Sequence, residues 1–336
     1  MSGTTERLEG VAGVLRAAEL LRLGGTVAFP TETVYGLGAN ALDATAVGKI
    51  FAAKERPGWD PVIVHVCDRT MVERVAVVSG ALAAKVEALA AAFWPGPLTL
   101  LLPRTAAVPD AVTAGRALVG VRMPAHPLAL ELIRVAGFPV AAPSANRFGR
   151  TSPTTAAHVL EDLEGRIDAV LDGGATSVGV ESTVLDVGEM LIYRPGAVTA
   201  EMISTVAGEV RMFVAGASEG AAPESLPSPG VGMRHYAPRA RLVLVRGEAE
   251  MRVRVAELRG AGERVGVMLP SGWDLDSASV FAWGPWDDRE ILARRLFAGL
   301  RELDESGATV IVCPVPEGDG VAVALRDRLE KAARVK

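Results

Sequence analysis

Apolar residues Val11, Val14, Leu15, Ala18 and Leu21 recur at helical spacing, and Gly24-Gly25 stops the run. The period then changes. Thr26 to Phe29 is a continuous apolar stretch, the pattern of a buried strand, cut by Pro30. A hydroxyl-rich loop (Thr31-Glu32-Thr33) and a glycine-rich exit (Gly36-Leu37-Gly38) follow. Residues 43–54 read as a helix capped by Asp43. Strands are predicted over 61–67, 98–102, 118–122, 139–143, 169–172, 182–187 and 191–194, the last two as a hairpin, with helices over 80–93, 127–135 and 155–163. Strands and helices alternate irregularly, which predicts a mixed α/β sheet rather than a strictly doubly wound one.

The pattern shifts near residue 214. Residues 215–232 are mostly Ala, Gly, Ser, Pro and Glu, the composition of a linker. The segment closes on Met233-Arg234-His235-Tyr236-Ala237-Pro238, whose aromatic and cationic side chains suit docking. Beyond it, strands over 241–245, 264–269, 279–283 and 309–314 alternate with helices over 249–260, 288–305 and 320–334. That alternation predicts a small parallel sheet. The expected organisation is a larger mixed α/β domain over 1–213, a linker over 214–239, and a C-terminal α/β domain over 240–336.

A net charge of −5 argues against a surface that binds nucleic acid throughout, while leaving room for a local basic cleft. Arginine far outnumbers lysine, so Lys54 stands out. The two cysteines, Cys67 and Cys313, lie far apart in apolar runs and read as structural thiols. The first residues carry no secretory pattern. The best membrane candidate, 75–94, is broken by Lys85 and Glu87, so a cytoplasmic protein is expected.

Gly36 to Ala41 matches a dinucleotide fingerprint, but it follows a Pro-broken loop and opens no predicted helix. The glycines are better read as allowing a tight turn and close backbone approach. Among Walker-type patterns, residues 174–179 have glycine spacing without the lysine. Lys54 and Arg56 end a helix, where cations are ordinarily dipole-favoured and solvated. Their company changes that picture. Arg122 (Val-Arg-Met-Pro) and Arg194 (Tyr-Arg-Pro-Gly) each end a strand before a turn at proline, a position that faces ligand clefts in α/β sheets. Two further polar loops, Pro143-Ser144-Ala145-Asn146 with Ser152 and Val180-Glu181-Ser182-Thr183, add hydroxyls. His65 reads as a core histidine; His126 and His158 read as turn and helix-surface residues.

Taken in order, Pro-Thr-Glu-Thr-Val-Tyr-Gly-Leu-Gly, Lys-x-Arg-Pro, Trp-Pro-Gly-Pro-Leu-Thr, Val-Arg-Met-Pro, Ala-Pro-Ser-Ala-Asn, Gly-Val-Glu-Ser-Thr and Arg-Pro-Gly resemble the YrdC-like family. With the Ser-Pro-Gly…His-Tyr-Ala-Pro segment and the C-terminal domain, the whole chain resembles the long-form threonylcarbamoyl-AMP synthases. The resemblance implies a twisted mixed sheet with an open cleft, joined to a smaller Rossmann-like parallel-sheet domain. It implies synthesis of threonylcarbamoyl-AMP from L-threonine, bicarbonate and ATP, with Mg²⁺ carried by the nucleotide. A separate tRNA threonylcarbamoyl transferase complex would take the product.

By the same resemblance, Thr33, His65, Arg122, the backbone of Ala142, and Ser182 form the threonine pocket. Lys54, Arg56, Asp60, the backbone at Leu118, Ser144, Asn146, Ser152, Arg194 and Tyr236 form the nucleotide side, with Lys54 and Arg56 as the catalytic cations. Two departures from the family pattern stand out. Asp60 occupies a position where relatives often carry Asn, and Ser228-Pro229-Gly230 is followed by Val231 where Met is usual. An RNA-binding module is the alternative reading, disfavoured by the acidic charge. Carbamoyl transferases of the hydrogenase-maturation type carry cysteine-rich zinc modules, which two cysteines cannot supply.

Overall fold

The computed structural model describes residues 4–214, 236–275 and 279–334. In chain order, the first part contains β1 (Glu6–Glu9), α1 (Gly10–Arg22), β2 (Val27–Phe29), β3 (Gly36–Asn40), α2 (Ala44–Lys54) and β4 (Ile63–His65). Next come α3 (Arg69–Val75), α4 (Ala81–Phe93), β5 (Leu98–Pro103), α5 (Asp110–Thr113), β6 (Leu118–Arg122), α6 (Pro127–Ala136) and β7 (Val140–Ala141). The part ends with α7 (Ala156–Leu163), β8 (Ala169–Asp172), β9 (Thr183–Asp186), β10 (Leu191–Arg194), α8 (Ala200–Ala207) and β11 (Arg211–Met212). After the linker come β12 (Arg241–Val245), α9 (Glu248–Gly260), β13 (Val265–Ser271), β14 (Ser279–Pro285), α10 (Arg289–Glu305), β15 (Val310–Pro314) and α11 (Val321–Ala333).

The first part builds a mixed sheet in the order β1-β8-β2-β3-β7-β4-β6-β5-β9-β10-β11. The second builds a parallel sheet in the order β12-β15-β13-β14. Both agree with the expected fold class. The predicted β9–β10 hairpin is present and antiparallel. Asp43 caps α2, its carboxylate accepting from the backbone N–H groups of Thr45 and Ala46, and the chain leaves the helix through Glu55 in the left-handed region.

The Gly36–Gly38 segment corrects the turn reading. It is strand β3, paired antiparallel with β2. Glycine is a weak strand former, which hides the element from pattern reasoning. Close packing explains its presence: a Cβ on Gly38 would lie 2.8 Å from both Phe29 Cε1 and Val140 Cγ1. Short elements α3, α5, α8, β1 and β11 also lay outside the sequence expectations.

The two sheets share packing. Val34 and Val180 from the first part belong to the same apolar cluster as Trp283, Leu296, Phe297 and Leu325 of the second. At Gly179 the backbone meets α10 directly, since a Cβ there would fall 2.3 Å from Arg294 Cα. Most of the linker expectation, including His235 and the Ser-Pro-Gly departure, falls in 215–235, outside the described residues. Among the described residues no helix is long and apolar enough to cross a membrane. Cys67 and Cys313 are free thiols.

Candidate active site

Strand ends deliver the central cations. In the parallel β4–β6 pair, His65 stands opposite Arg122, so the two side chains share one face of the sheet. Arg194 ends β10. Together with the Thr31–Val34 loop, Ala142-Pro143-Ser144, Glu181-Ser182, Arg56 and Tyr236, they line a cavity with about 530 Å³ of space between its walls, open solvent included. Among the described residues its lining holds three arginines (Arg56, Arg122, Arg194) and one carboxylate, Glu181. Such a wall suits a ligand with several negative charges.

Each arginine is buried and fixed by protein acceptors. Arg122 donates from Nε to Gly96 O at 3.2 Å, and its Nη2 lies 2.7 Å from Glu32 Oε1. The second contact is out of line for a hydrogen bond, so charge holds it. Glu32 is itself oriented by the backbone N–H of Ala125, which donates to its Oε2. Arg56 donates to Asp60 O and Pro61 O and pairs with the Asp60 carboxylate at 2.9 Å. Arg194 donates from Nε to Ser182 O at 3.0 Å and from Nη2 to Ser182 Oγ at 3.1 Å. Ser182 Oγ also shares a hydrogen bond with Thr99 Oγ1. Among the described residues, Nη1 of Arg122 and Nη1 of Arg56 make no hydrogen bond to protein.

The electrostatics follow from burial. Desolvation, helped by the neighbouring Arg122 charge, pushes His65 down to about 3, so its imidazole is neutral at physiological pH. Its Nδ1 is buried with no hydrogen-bond partner. Burial lowers the Lys54 ammonium well below its ordinary range, with Arg56 adding repulsion. Burial alone would raise the Glu181 carboxyl. The charges of Arg328 and Arg194 and the hydrogen bonds from Ser152 and Arg328 outweigh it and hold the group below its ordinary value.

Of the residues singled out in the sequence, Thr33, His65, Arg122, Ala142, Ser182, Arg56, Ser144, Arg194 and Tyr236 converge on this cavity. The others do not reach its lining. Lys54 donates from Nζ to Ser144 O at 2.6 Å and to Asn146 O, bracing the loop that carries Ser144 instead of presenting its charge to the cavity. Lys54 is also fully buried, not a solvated helix-end cation. Asp60 is fully buried as the counter-ion of Arg56. Asn146 uses Nδ2 on the carbonyls of Arg147 and Arg150, and Ser152 donates to Glu181. Leu118 starts β6, four residues from Arg122 and so about 13 Å along the strand, beside a smaller separate cavity. His158 corrects its surface reading: it is partly buried against Arg301 and Glu161, and burial pushes it down to about 4. His126 caps α6 through Nδ1, as a turn residue would.

Sequence reasoning missed four supports. Glu32 lies inside a quoted motif but was read as loop, and Thr99 looks like an ordinary strand residue. Arg301 and Arg328 come from α10 and α11 and carry no motif signal. Arg301 binds Glu161, Asp162 and Thr151 O. Arg328 binds Glu181 and Pro195 O.

Comparison with known proteins places this geometry among relatives. The Sua5/YciO/YrdC family model, described as telomere recombination, matches residues 19–196. A second, described as the C-terminal domain of threonylcarbamoyl-AMP synthase, matches residues 198–334. The threonylcarbamoyl-AMP synthase of Pyrococcus abyssi is 44% identical over 94% of this chain and 93% of its own. That of Bacillus subtilis is 42% identical over 95% and 92%. A crystal structure of the Pyrococcus abyssi Sua5 protein complexed with L-threonine superposes with a TM-score of 0.90 at 42% identity, covering 98% of each chain.

Proposed function

The chain belongs to the threonylcarbamoyl-AMP synthase family, enzymes of the nucleotidyltransferase type, and from that premise we propose that it converts L-threonine, bicarbonate and ATP to threonylcarbamoyl-AMP and pyrophosphate. The observation that carries the reading is one cavity in which three buried arginines stand beside two hydroxyls, Thr33 and Ser182. A substrate set of one amino acid, one carbamate and one triphosphate needs that combination.

In this reading the threonine amine and bicarbonate give the carbamate with loss of water. A carbamate oxygen then attacks the α-phosphorus of ATP, and the bond to the leaving pyrophosphate breaks. Both reactants are anions, so the protein's work is to hold like charges in line and neutralise them. Arg122 receives the threonine carboxylate, its plane set by Glu32 and Gly96 O. Neutral His65 completes that end without adding charge. Thr33 and Ser182 read polar groups of the amino acid. Arg56 and Arg194 take the phosphates, and Lys54 acts through the Ser144–Asn146 loop that it holds.

Among the described residues no group of three metal-ligating side chains is assembled. The cationic and hydroxylic lining fits a triphosphate that brings its own Mg²⁺, which would neutralise phosphate charge when bound. Tyr236 closes the cavity from the linker side and helps exclude water from the labile carbamate and mixed anhydride. The product would pass to a transferase complex that modifies a tRNA adenosine.

Pyrophosphate release measured with threonine, bicarbonate and ATP, omitting each in turn, tests the reading. Release should require all three. Release that persists without threonine would refute it.

A further inference from the structure

Glu181 sets an electrostatic problem. Among the described residues it is the one carboxylate in a cavity lining built around three arginines, and an uncompensated negative charge there would cancel part of the field that an anionic ligand needs. Arg194 and Ser152 offset part of that charge, and its ion-pair partner comes from the other domain. Arg328, on α11, is fully buried and donates from Nε to Glu181 Oε2 at 2.7 Å. Its Nη2 donates to Pro195 O at 3.0 Å, and its guanidinium lies 5.2 Å from the centre of the Tyr236 ring. One fork therefore grips both the loop leading into Ser182 and the loop leaving Arg194, and underlies the aromatic ring that closes the cavity.

We propose that Arg328 is a positioning residue for the phosphate-binding wall. The C-terminal domain supplies the cation that neutralises Glu181, so that this carboxylate does not offset the charge that Arg56 and Arg194 present to the nucleotide, and it holds Ser182, Arg194 and Tyr236 in one arrangement. The groups facing Arg328 support this division of labour. Asp327 accepts from its Nη1 at 2.5 Å and is shared with Lys331, while Glu181 accepts from Ser152 on its other oxygen. The compensated carboxylate thus ties Ser152 to α11. Arg301 makes a parallel junction from α10 to Thr151 O and Asp162. The C-terminal domain is then part of the active site in the electrostatic sense, besides carrying the end of the linker. The proposal rests on the reading of the cavity as a nucleotide site.

The test compares the full-length chain with Arg328→Met, Glu181→Gln and the double variant, reading the Kd for ATP by calorimetry and the melting temperature of each without ligand. Arg328→Met should weaken ATP by about tenfold or more, because it leaves a buried carboxylate facing the phosphates. Glu181→Gln alone should tighten ATP. Adding Glu181→Gln to Arg328→Met should recover most of the lost affinity and most of the lost melting temperature, a rescue that a purely structural brace would not show. An Arg328→Met protein that binds ATP like wild type would overturn the proposal, as would a double variant no better than the single one. Should Arg328→Met fail to fold, Arg328→Lys keeps the charge but reaches one acceptor; it should retain more ATP affinity than melting temperature, and the reverse would overturn the proposal. Wild-type chain that binds no ATP would instead overturn the nucleotide reading, while the melting temperatures still decide whether Arg328 and Glu181 are coupled.

Discussion

Replacing Glu32 with alanine removes the acid that fixes Arg122. The two charges sit 2.7 Å apart with both side chains nearly excluded from water. At an effective dielectric of about 20, their gross attraction is roughly 6 kcal/mol. Most of that is offset by the desolvation both groups suffer on folding, so the pair adds little net stability. Breaking it is a different matter, because Arg122 stays buried without its counter-ion, at a cost of roughly 3–5 kcal/mol. The Ala125 N–H loses its acceptor as well. Gly96 O would be the remaining anchor of the guanidinium, on Nε. A fork free to turn about one anchor presents a worse surface to a carboxylate. The KM for threonine should rise by about tenfold or more, with a smaller change in kcat.

Glu32→Gln separates the two effects. It preserves the volume and one acceptor oxygen, so it should lie between wild type and Glu32→Ala in both melting temperature and threonine KM. Initial rates of pyrophosphate release against threonine concentration, paired with thermal unfolding, read both quantities. A Glu32→Ala protein with wild-type threonine KM and wild-type melting temperature would refute the claim that Glu32 orients Arg122.

Acid should expose the cost of burying His65. With an unfolded value near 6.5 and a folded value of about 3, the unfolded state binds the extra proton, so stability is full above pH 6.5 and falls as the pH drops toward 3. At pH 5 this group alone costs about 2 kcal/mol; denaturant unfolding at pH 7.5 and 5.0 should show a steeper loss in wild type than in His65→Gln, and equal losses would exclude the assignment. Tyr236→Ala removes a ring packed 5.7 Å from Phe297 and lying over Arg328, so ATP KM should rise and melting temperature fall; an unchanged rate and ATP KM would sink its closing role. Gly38→Ala drives a methyl to within 2.8 Å of Phe29 and Val140 and should destabilise by about 1–3 kcal/mol, which denaturant unfolding reads directly.

Period and punctuation made most of the fold legible. The β6 bounds, Leu118 to Arg122, and those of β8, Ala169 to Asp172, follow directly from apolar runs between polar stops. In the C-terminal sheet β12, β14 and β15 are each followed by a patterned helix, and right-handed crossovers leave few other arrangements. Strand β3 escaped because its glycines answer to the contact with Phe29, which no local preference records. The cavity was legible where chemistry and placement coincide: Arg122 and Arg194 end strands before prolines, and both line it. It was illegible where a side chain turns away from its motif's cavity. Lys54 and Asp60 sit among motif residues, yet one binds carbonyls and the other a buried arginine. Residue type shows that a charge is present, not which neighbour it faces. Arg328 is the limiting case, a cation on an amphipathic helix whose partner lies 147 positions away.

The pairing pattern around the arginines explains how a site can be strongly positive and still fold. Three guanidiniums left bare in one cavity would repel each other and cost several kcal/mol each in lost hydration. Here Arg56 and Arg122 are met by groups that leave part of each fork for a ligand. Arg56 uses Nε and Nη2 on Asp60 and Pro61, and Arg122 uses Nε and Nη2 on Gly96 and Glu32. Backbone carbonyls do much of this work, and they carry dipoles without net charge. The site's positive excess is therefore tempered without being cancelled. The donors are also already aimed, so an anionic ligand whose oxygens gain charge would demand little reorganisation of them. Glu181 would break this economy if it stood alone, since it is a full charge at the lining. That is the physical reason to expect a cavity of this construction to depend on a cation from α11.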